Sequence, residues 1–344
     1  MKIILDAMSG DNAPLEILKG AVSAKEEYPS LELLLVGDPA VLHAVAEENR
    51  LSLDDIPIVA SNTVITMEDV PLSVVHAKKD SSMGVGLKLL SLGEGDAFVS
   101  AGNTGALLAG ASLIVRRLKG VARPGIGAIL PLSNPVLLLD SGANITVTEE
   151  NLEMFALMGS VYMNKIYGIE RPRVGQVNNG AEPTKGLPLQ IATYERLSNN
   201  KDLNFVGNIE GKDIPFDACD VLVTDGFTGN VVLKLAEGMG KMMLSTMKTL
   251  FTSNALTMIS ASLMKTRLAD IKHRFDSSEH GGAPLLGIRK PVIKAHGGSD
   301  AKAIKNAIRQ AASFIEADVS GEIERAAELL KSKNMLATTK KEED

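Results

Sequence analysis

Tryptophan is absent from this chain, and aromatic residues make up only 3% of it. Stacking platforms for single-stranded nucleic acid are therefore not expected. Cysteine occurs once, at Cys219, so neither an internal disulfide nor a cysteine metal cluster can form. That usage fits a reducing cytoplasm. Cys219 has no histidine or lysine beside it in sequence to activate the thiol, and it reads as a small buried residue. Positive charge is not in excess: Lys+Arg 36 against Asp+Glu 42 gives a net charge of −6, the wrong sign for a general nucleic-acid binder. No apolar run is long enough to span a bilayer. The opening MKIILDAMSGD is too short in its apolar part for a signal peptide and meets an acidic glycine turn at once. Neither GxxxxGK[ST] nor GxGxxG occurs, so neither nucleotide-binding class is supported.

What is present is apolar substance and small-residue turns. With 344 residues, 45% of them apolar, the chain can build a large core. Short apolar strands alternate with amphipathic helices: a strand over Lys2 to Leu5, a helix over Leu15 to Tyr28, a strand over Leu31 to Val36, and so on. Alternation of this kind predicts a largely parallel sheet with helices on both faces. Residues 1–330 read as a single α/β domain and 331–344 as a disordered tail. Pro71 is expected to open a helix running through HAKKDSSM.

The organising stretch is DVLVTDGFTGNVVLK, Asp220 to Lys234, which reads as strand, tight turn and helix start. A strand that feeds a helix through glycines gathers backbone N–H groups and the positive helix end at one spot, suited to an anion. Asp225, Gly226, Thr228, Gly229 and Asn230 form that spot, with Asn230 either a helix cap or an amide donor to an oxyanion. Gly102, Asn103, Thr104 and Gly105 repeat the same chemistry after the strand Asp96 to Ser100. Asp140 to Asn144 closes a third strand in the same manner. Asp6 lies where an open α/β sheet places its ligand crevice. Lys185 stands alone in the flexible loop NNGAEPTKG, and His296 precedes the last long helix. For a lone histidine, local hydrogen bonding is the commoner role, with general acid–base work the alternative.

Two cationic stretches stand out on this acidic chain. Arg116, Arg117, Lys119 and Arg123 cluster after a helix, where they either complement its dipole or dock an acidic partner. Around residues 245–275 an amphipathic helical excursion carries Leu256, Ile259, Leu263, Leu268 and Ile271 at helical spacing, interleaved with Lys265, Arg267, Lys272 and Arg274. It fits a helix packed on the core or a second subunit, or one lying in a membrane interface.

Six motifs together, DAMSGDNAP, KKDSSM, SAGNTGAL, LLLDSGAN, VTDGFTGNVVLK and PVIKAHGGSD, carry a resemblance to the PlsX-type phosphate acyltransferases, the phosphate:acyl-acyl-carrier-protein acyltransferases. It covers roughly Met1 to Ala317. Ser9 and Gly298 stand where that family usually has glycine and serine. The resemblance implies a three-layer αβα, Rossmann-like fold similar to isocitrate and isopropylmalate dehydrogenases and to phosphotransacetylase. It implies a homodimer that moves a fatty acyl group from acyl carrier protein to inorganic phosphate, without metal or cofactor. The acyl phosphate would pass to a membrane glycerol-3-phosphate acyltransferase for phospholipid synthesis, by a cytoplasmic enzyme peripherally associated with the membrane.

The same resemblance implies that Lys185 and Asn230 carry catalysis. Asp6, Asn144 and Asp225 would orient loops, the turn Gly102 to Gly105 would close the far wall, and His296 would protonate the departing sulfur. A short-chain phosphotransacylase using acyl-CoA is the nearest rival. A decarboxylating dehydrogenase would need convergent aspartates and arginines that these turns lack. A non-enzymatic membrane scaffold would leave the glycine turns without purpose.

Overall fold

The computed structural model describes residues 1–132, 134–268, 279 and 281–343. Its first part lays down β1 (Lys2–Asp6), α1 (Leu15–Glu27), β2 (Glu32–Gly37), α2 (Pro39–Glu48), β3 (Ile58–Ala60), α3 (Ser82–Leu92), β4 (Ala97–Ser100) and α4 (Thr104–Gly110). Helix α4 runs on as a π-helical turn, Ala111–Arg116. The middle adds β5 (Gly125–Ile126), β6 (Ala128–Leu130), β7 (Val136–Leu139), α5 (Glu149–Tyr167), β8 (Arg173–Asn178), α6 (Pro188–Asn199), β9 (Asn204–Glu210) and β10 (Val221–Val223). Helices α7 (Gly226–Phe251) and α8 (Ala255–Leu263), strands β11 (Ala283–Leu286) and β12 (Val292–Lys294), and helices α9 (Ala301–Glu316) and α10 (Val319–Glu343) complete the chain.

Two sheets result. One is seven-stranded, in the order β3-β2-β1-β4-β12-β11-β5, and the other five-stranded, in the order β6-β7-β10-β8-β9. Strands β1 to β4 and β12 are parallel, as are β7, β10, β8 and β9; β11 and β6 run antiparallel to their neighbours. The chain passes from one sheet to the other at Gly127, between β5 and β6.

Side chains alternate across a strand, so each sheet has two apolar faces to cover. Ile3 and Leu5 of β1 pack with Leu18 and Ala21 of α1 and Ile304 and Ile308 of α9, whereas Ile4 packs with Leu87 of α3 and Leu107 of α4 on the opposite face. In the second sheet Val221 and Val223 meet Phe155 of α5 and Ile323 of α10. Leu222 faces the side where Leu233 and Ala236 of α7 lie. Both sheets are thus the middle layer of a three-layer αβα sandwich, as the strand–helix alternation implied.

Three local readings are corrected. Pro71 opens only a 3₁₀ turn, Pro71–Val75, and the helix proper starts at Ser82. Ser81 ends the intervening turn because its hydroxyl accepts from Gly84 N at 3.2 Å, the N-cap role that serine favours. Lys78, in that turn, is occupied by Asp69 at 2.6 Å and by the Val64 carbonyl. The stretch read as a tail continues the last helix as far as Glu343, through lysines, glutamates, leucine, methionine and alanine that are good helix formers. The excursion around residues 245–275 is not one helix: α7 ends at Phe251, Asn254 caps α8 through Thr257 N at 3.0 Å, and α8 ends at Leu263. Ile271, Lys272 and Arg274 lie outside the described residues.

Candidate active site

The carboxyl ends of the parallel strands of both sheets open into one cleft of about 740 Å³. Thr104, Lys294 and His296 reach it from the first sheet, and Ser141, Asn230 and Lys234 from the second. This is where an open α/β sheet places its ligand.

The second-sheet wall is the junction of β10 with α7. Asp225, not Asn230, caps α7: its carboxylate accepts from Thr228 N at 2.9 Å and from the Thr228 hydroxyl at 2.7 Å. Gly226 N donates to the Asn144 carbonyl at 2.7 Å, and Gly229 N to Asp225 O at 2.9 Å. The expected cluster of free N–H donors at Gly226 to Gly229 is therefore largely consumed internally, because an aspartate already sits on the positive helix end. Gly229 is glycine for a steric reason. A Cβ there would fall 1.9 Å from the Asp140 carbonyl oxygen, so only glycine lets α7 press against the loop after β7. That contact sets Asn230 in the second turn of α7, where Nδ2 donates to Ser141 O at 3.2 Å and the amide faces the cleft with a second N–H left over.

Asp140 ties the loop after β7. Fully buried, it accepts from Ile126 N (3.0 Å), Gly142 N (3.2 Å), Ala143 N (3.0 Å), Asn144 N (2.6 Å) and Asn144 Nδ2 (2.9 Å). Asn144 Nδ2 also reaches Pro124 O at 2.8 Å, so Asn144 orients the loop without entering the cleft.

On the first-sheet wall, Asp6 is buried and receives the Ser100 hydroxyl at 2.7 Å. Burial pushes its carboxyl above the ordinary range, with serine hydroxyls opposing the rise. Ser9 and Ser82 approach it without reaching hydrogen-bond geometry. Asn103 caps α4 through Ala106 N at 3.0 Å, and its amide donates to the Thr66, Met67 and Asp69 carbonyls. It is a brace, while Thr104, next to it, faces the cleft. Gly102 packs against Ser9 and Met83, and Gly105 against Pro71.

His296 lines the cleft, and its Nδ1 accepts from Gly298 N at 3.1 Å. With Nδ1 an acceptor, the ring proton sits on Nε2. Burial first, then Lys234, holds the imidazole below its usual range. His296 thus presents a neutral imidazole with its N–H on Nε2.

Lys185 is exposed on the β8–α6 loop, its carbonyl accepting from Asn178 Nδ2 at 3.0 Å. Strand β8 adjoins β10, so this loop occupies the same end of the sheet as Asn230, but Lys185 does not line the cleft. The cluster of Arg116, Arg117, Lys119 and Arg123 is farther away. Arg116 O accepts from Arg289 N and Arg117 bridges Ile288, beyond the end of β11 opposite the one that pairs with Lys294. Sequence reasoning passed over Asp140 as a bond acceptor, Lys294, and the amines Lys234 and Lys241 on the cleft side of α7. For Lys294 the clue was a lysine among Val292, Ile293 and Ala295 in an apolar strand.

Fold and cleft define an α/β enzyme whose site gathers amide, imidazole and amine donors, with the carboxylates of Asp11, Glu237 and Asp300 on the same lining. Among solved structures, a phosphotransacetylase from Streptococcus pyogenes superposes with a TM-score of 0.61 at 18% identity, over 93% of this chain and 94% of that one, and shows the fold. The family model described as "Fatty acid synthesis protein" matches residues 1–322. The protein named phosphate acyltransferase in Thermoanaerobacter pseudethanolicus is 47% identical over 330 residues, 95% of this chain and 98% of that protein. Its namesake in Lysinibacillus sphaericus is 45% identical over 318 residues, 92% and 95% of the two chains. The chain belongs to the PlsX-type phosphate acyltransferase family, enzymes that transfer acyl groups to phosphate.

Proposed function

We propose that this enzyme takes a fatty acyl group from the thioester of acyl carrier protein and places it on inorganic phosphate, supplying acyl phosphate to phospholipid synthesis. The observation that carries the reading is the cleft's donor set, with Asn230 and His296 both neutral N–H donors beside amines. Phosphate oxygen attacks the thioester carbonyl, the C–O bond forms, the C–S bond breaks, and the thiolate leaves to take a proton from water. Phosphate needs no activating base, so the enzyme's work is positioning and oxyanion stabilisation. Asn230 donates to the oxyanion, and His296 Nε2–H faces the departing sulfur or the phosphate. Lys185 offsets phosphate charge once the 180–186 loop folds over the cleft.

Covalent catalysis is disfavoured by two observations. The Ser141 hydroxyl is spent on Ile126 O at 2.9 Å. Burial pushes the Cys219 thiol up to about 12.

The test is purified enzyme with palmitoyl-acyl carrier protein and phosphate, following thiol release and acyl phosphate. Lys185→Ala and Asn230→Ala, if folded, should each lose about 10²–10³ in rate. Release that does not depend on phosphate would sink the reading. Faster turnover of acetyl-CoA than of the long-chain carrier substrate would replace it with a short-chain phosphotransacylase.

An acidic carrier protein needs a positive surface near the cleft. Lys234, Lys241 and Lys248 recur at seven-residue spacing on α7, the first two at the cleft itself, Lys234 there paired with Glu237 at 2.9 Å, and this favours α7 over the distant Arg116 cluster. Val231, Leu235, Met239 and Met242 of α7 are exposed, as are Leu256 (77%), Ile259 and Leu263 (84%) of α8. Patches of this kind mark partner or membrane surfaces. We assign the α7 residues to a homodimer contact and α8, with Lys265, Arg267 and half-buried Leu268 after it, to a membrane surface. There a glycerol-3-phosphate acyltransferase would receive the product, placing the enzyme in the cytoplasm as a peripheral membrane protein. Among the described residues no helix is long and apolar enough to cross a membrane. Leu263→Glu with Leu268→Glu should release the protein from anionic vesicles in flotation while leaving its melting curve intact. Unchanged flotation of the folded variant would remove the membrane assignment.

A further inference from the structure

Asp6, Ser100 and Lys294 stand in one row across three adjacent parallel strands. Lys294 pairs with Ser100 in the β12–β4 register, and Ser100 donates to Asp6 of β1. The row ends in a lysine that is 9% exposed and lines the cleft. Its ammonium donates to the carbonyls of Ala101, at 3.3 Å, and Ala295. No carboxylate lies within ion-pair distance of it among the described residues. An ammonium has three donors, and two carbonyls take two of them. A buried cation with no carboxylate in contact is costly, and Asp11 and Asp6 act on this one only from beyond ion-pair distance, which leaves room for a bound anion to make the missing contact.

We infer that Lys294 is the receptor for inorganic phosphate at the floor of the cleft, its third N–H and its charge completed by the bound anion. The inference rests on the phosphate-acceptor reading above and adds a phosphate ligand on the sheet opposite Asn230. His296, two residues on and on the same cleft wall, offers a second donor to the same anion. Lys185 then serves as a mobile cation arriving from the other sheet, and Lys294 as the fixed one.

Initial rates at varied phosphate and saturating palmitoyl-acyl carrier protein test this with Lys294→Met, which keeps the stem and removes the charge, and with Lys294→Arg. Loss of a charge-assisted contact should raise the phosphate KM roughly 10- to 100-fold in Lys294→Met, leave the carrier-protein KM nearly unchanged, and be partly restored in Lys294→Arg. A folded Lys294→Met with the wild-type phosphate KM would overturn the inference. A second measurement needs no variant: brief acetylation of wild-type enzyme, read at each lysine by mass spectrometry, without and with saturating phosphate. Several-fold protection confined to the cleft amines is expected, and equal labelling of Lys294 would overturn the inference. If the wild type makes no acyl phosphate but Lys294 is still protected, the acyl-transfer reading fails and the anion site stands.

Discussion

Asp140→Ala should lower the stability of the protein by at least about 4 kcal/mol and abolish turnover at any temperature where the variant is still folded. The carboxylate is fully buried and takes donors from Ile126, Gly142, Ala143 and Asn144, the last through both backbone and side chain. Alanine leaves the Ile126 and Asn144 donors buried without this partner, at about 1–3 kcal/mol each before relaxation, while the N–H groups of half-buried Ala143 and exposed Gly142 can turn to water. Even with half of that recovered by water, the sum is a large part of the 5–15 kcal/mol that a typical domain holds in reserve, about the range expected here. Asp140→Asn should be no rescue. Each carboxylate oxygen accepts three of the contacts, so an amide NH₂ on either side meets donors. Turnover suffers separately, because the same loop supplies Ser141 O to the Asn230 amide and the Asn144 carbonyl to Gly226 N. Urea unfolding of both variants measures the effect. A loss below about 1 kcal/mol for Asp140→Ala would mean that the loop is held by its packing and not by this carboxylate.

The contrast between Asp140 and Gly229 shows which parts of the site were legible in sequence. A glycine between a strand and a helix announces a close approach, and Gly226, Gly229 and Gly102 each prove to be pressed against other chain segments. Strands and most helices were legible for a similar reason, since periodicity is local. Asp140 was hidden because its first partner, Ile126 N, lies on another strand, and no pattern in one stretch of chain reveals a cross-sheet acceptor. For Asn230 the sequence left two roles open, helix cap or amide donor, and Asp225, five residues earlier, also has a suitable capping side chain. Geometry decides for Asp225, whose carboxylate reaches Thr228 N. Neither the split into two sheets nor the placing of β12 beside β4 could be read from order along the chain, because β12 joins a sheet whose other parallel strands end at Ser100. Lys185 and Asn230, linked by the family resemblance, share one end of a sheet but not one cavity wall. The joint action proposed for them requires the loop before α6 to move.

Lys294→Met should make the protein more stable at neutral pH, even as it weakens phosphate binding. Burial pushes the Lys294 amine down to about 8, against an ordinary lysine value of about 10.4 in the unfolded chain. Asp11 and Asp6, on the segments beside it, pull the value up, and Lys234 of α7 pushes it down, so desolvation outweighs the neighbouring charges. Between the two values the folded protein binds fewer protons than the unfolded chain, and stability therefore rises with pH. Below about 8 the charged amine is present in both states and the full desolvation cost is felt, on the order of 3 kcal/mol at 1.36 kcal/mol per pK unit. Methionine removes that cost but leaves the carbonyls of Ala101 and Ala295 short of a donor, which returns about 1 kcal/mol for each. A net gain on the order of 1 kcal/mol is expected at pH 7, shrinking toward zero or reversing by pH 10. Saturating phosphate should raise the stability of the wild type, through binding to the folded state alone, and do little for the variant. Urea unfolding at pH 7 and pH 10, with and without phosphate, reads all of these. If Lys294→Met is instead less stable at pH 7 and the wild type ignores phosphate, the amine is a clamp between β4 and β12, and phosphate must be sought at Lys185 alone.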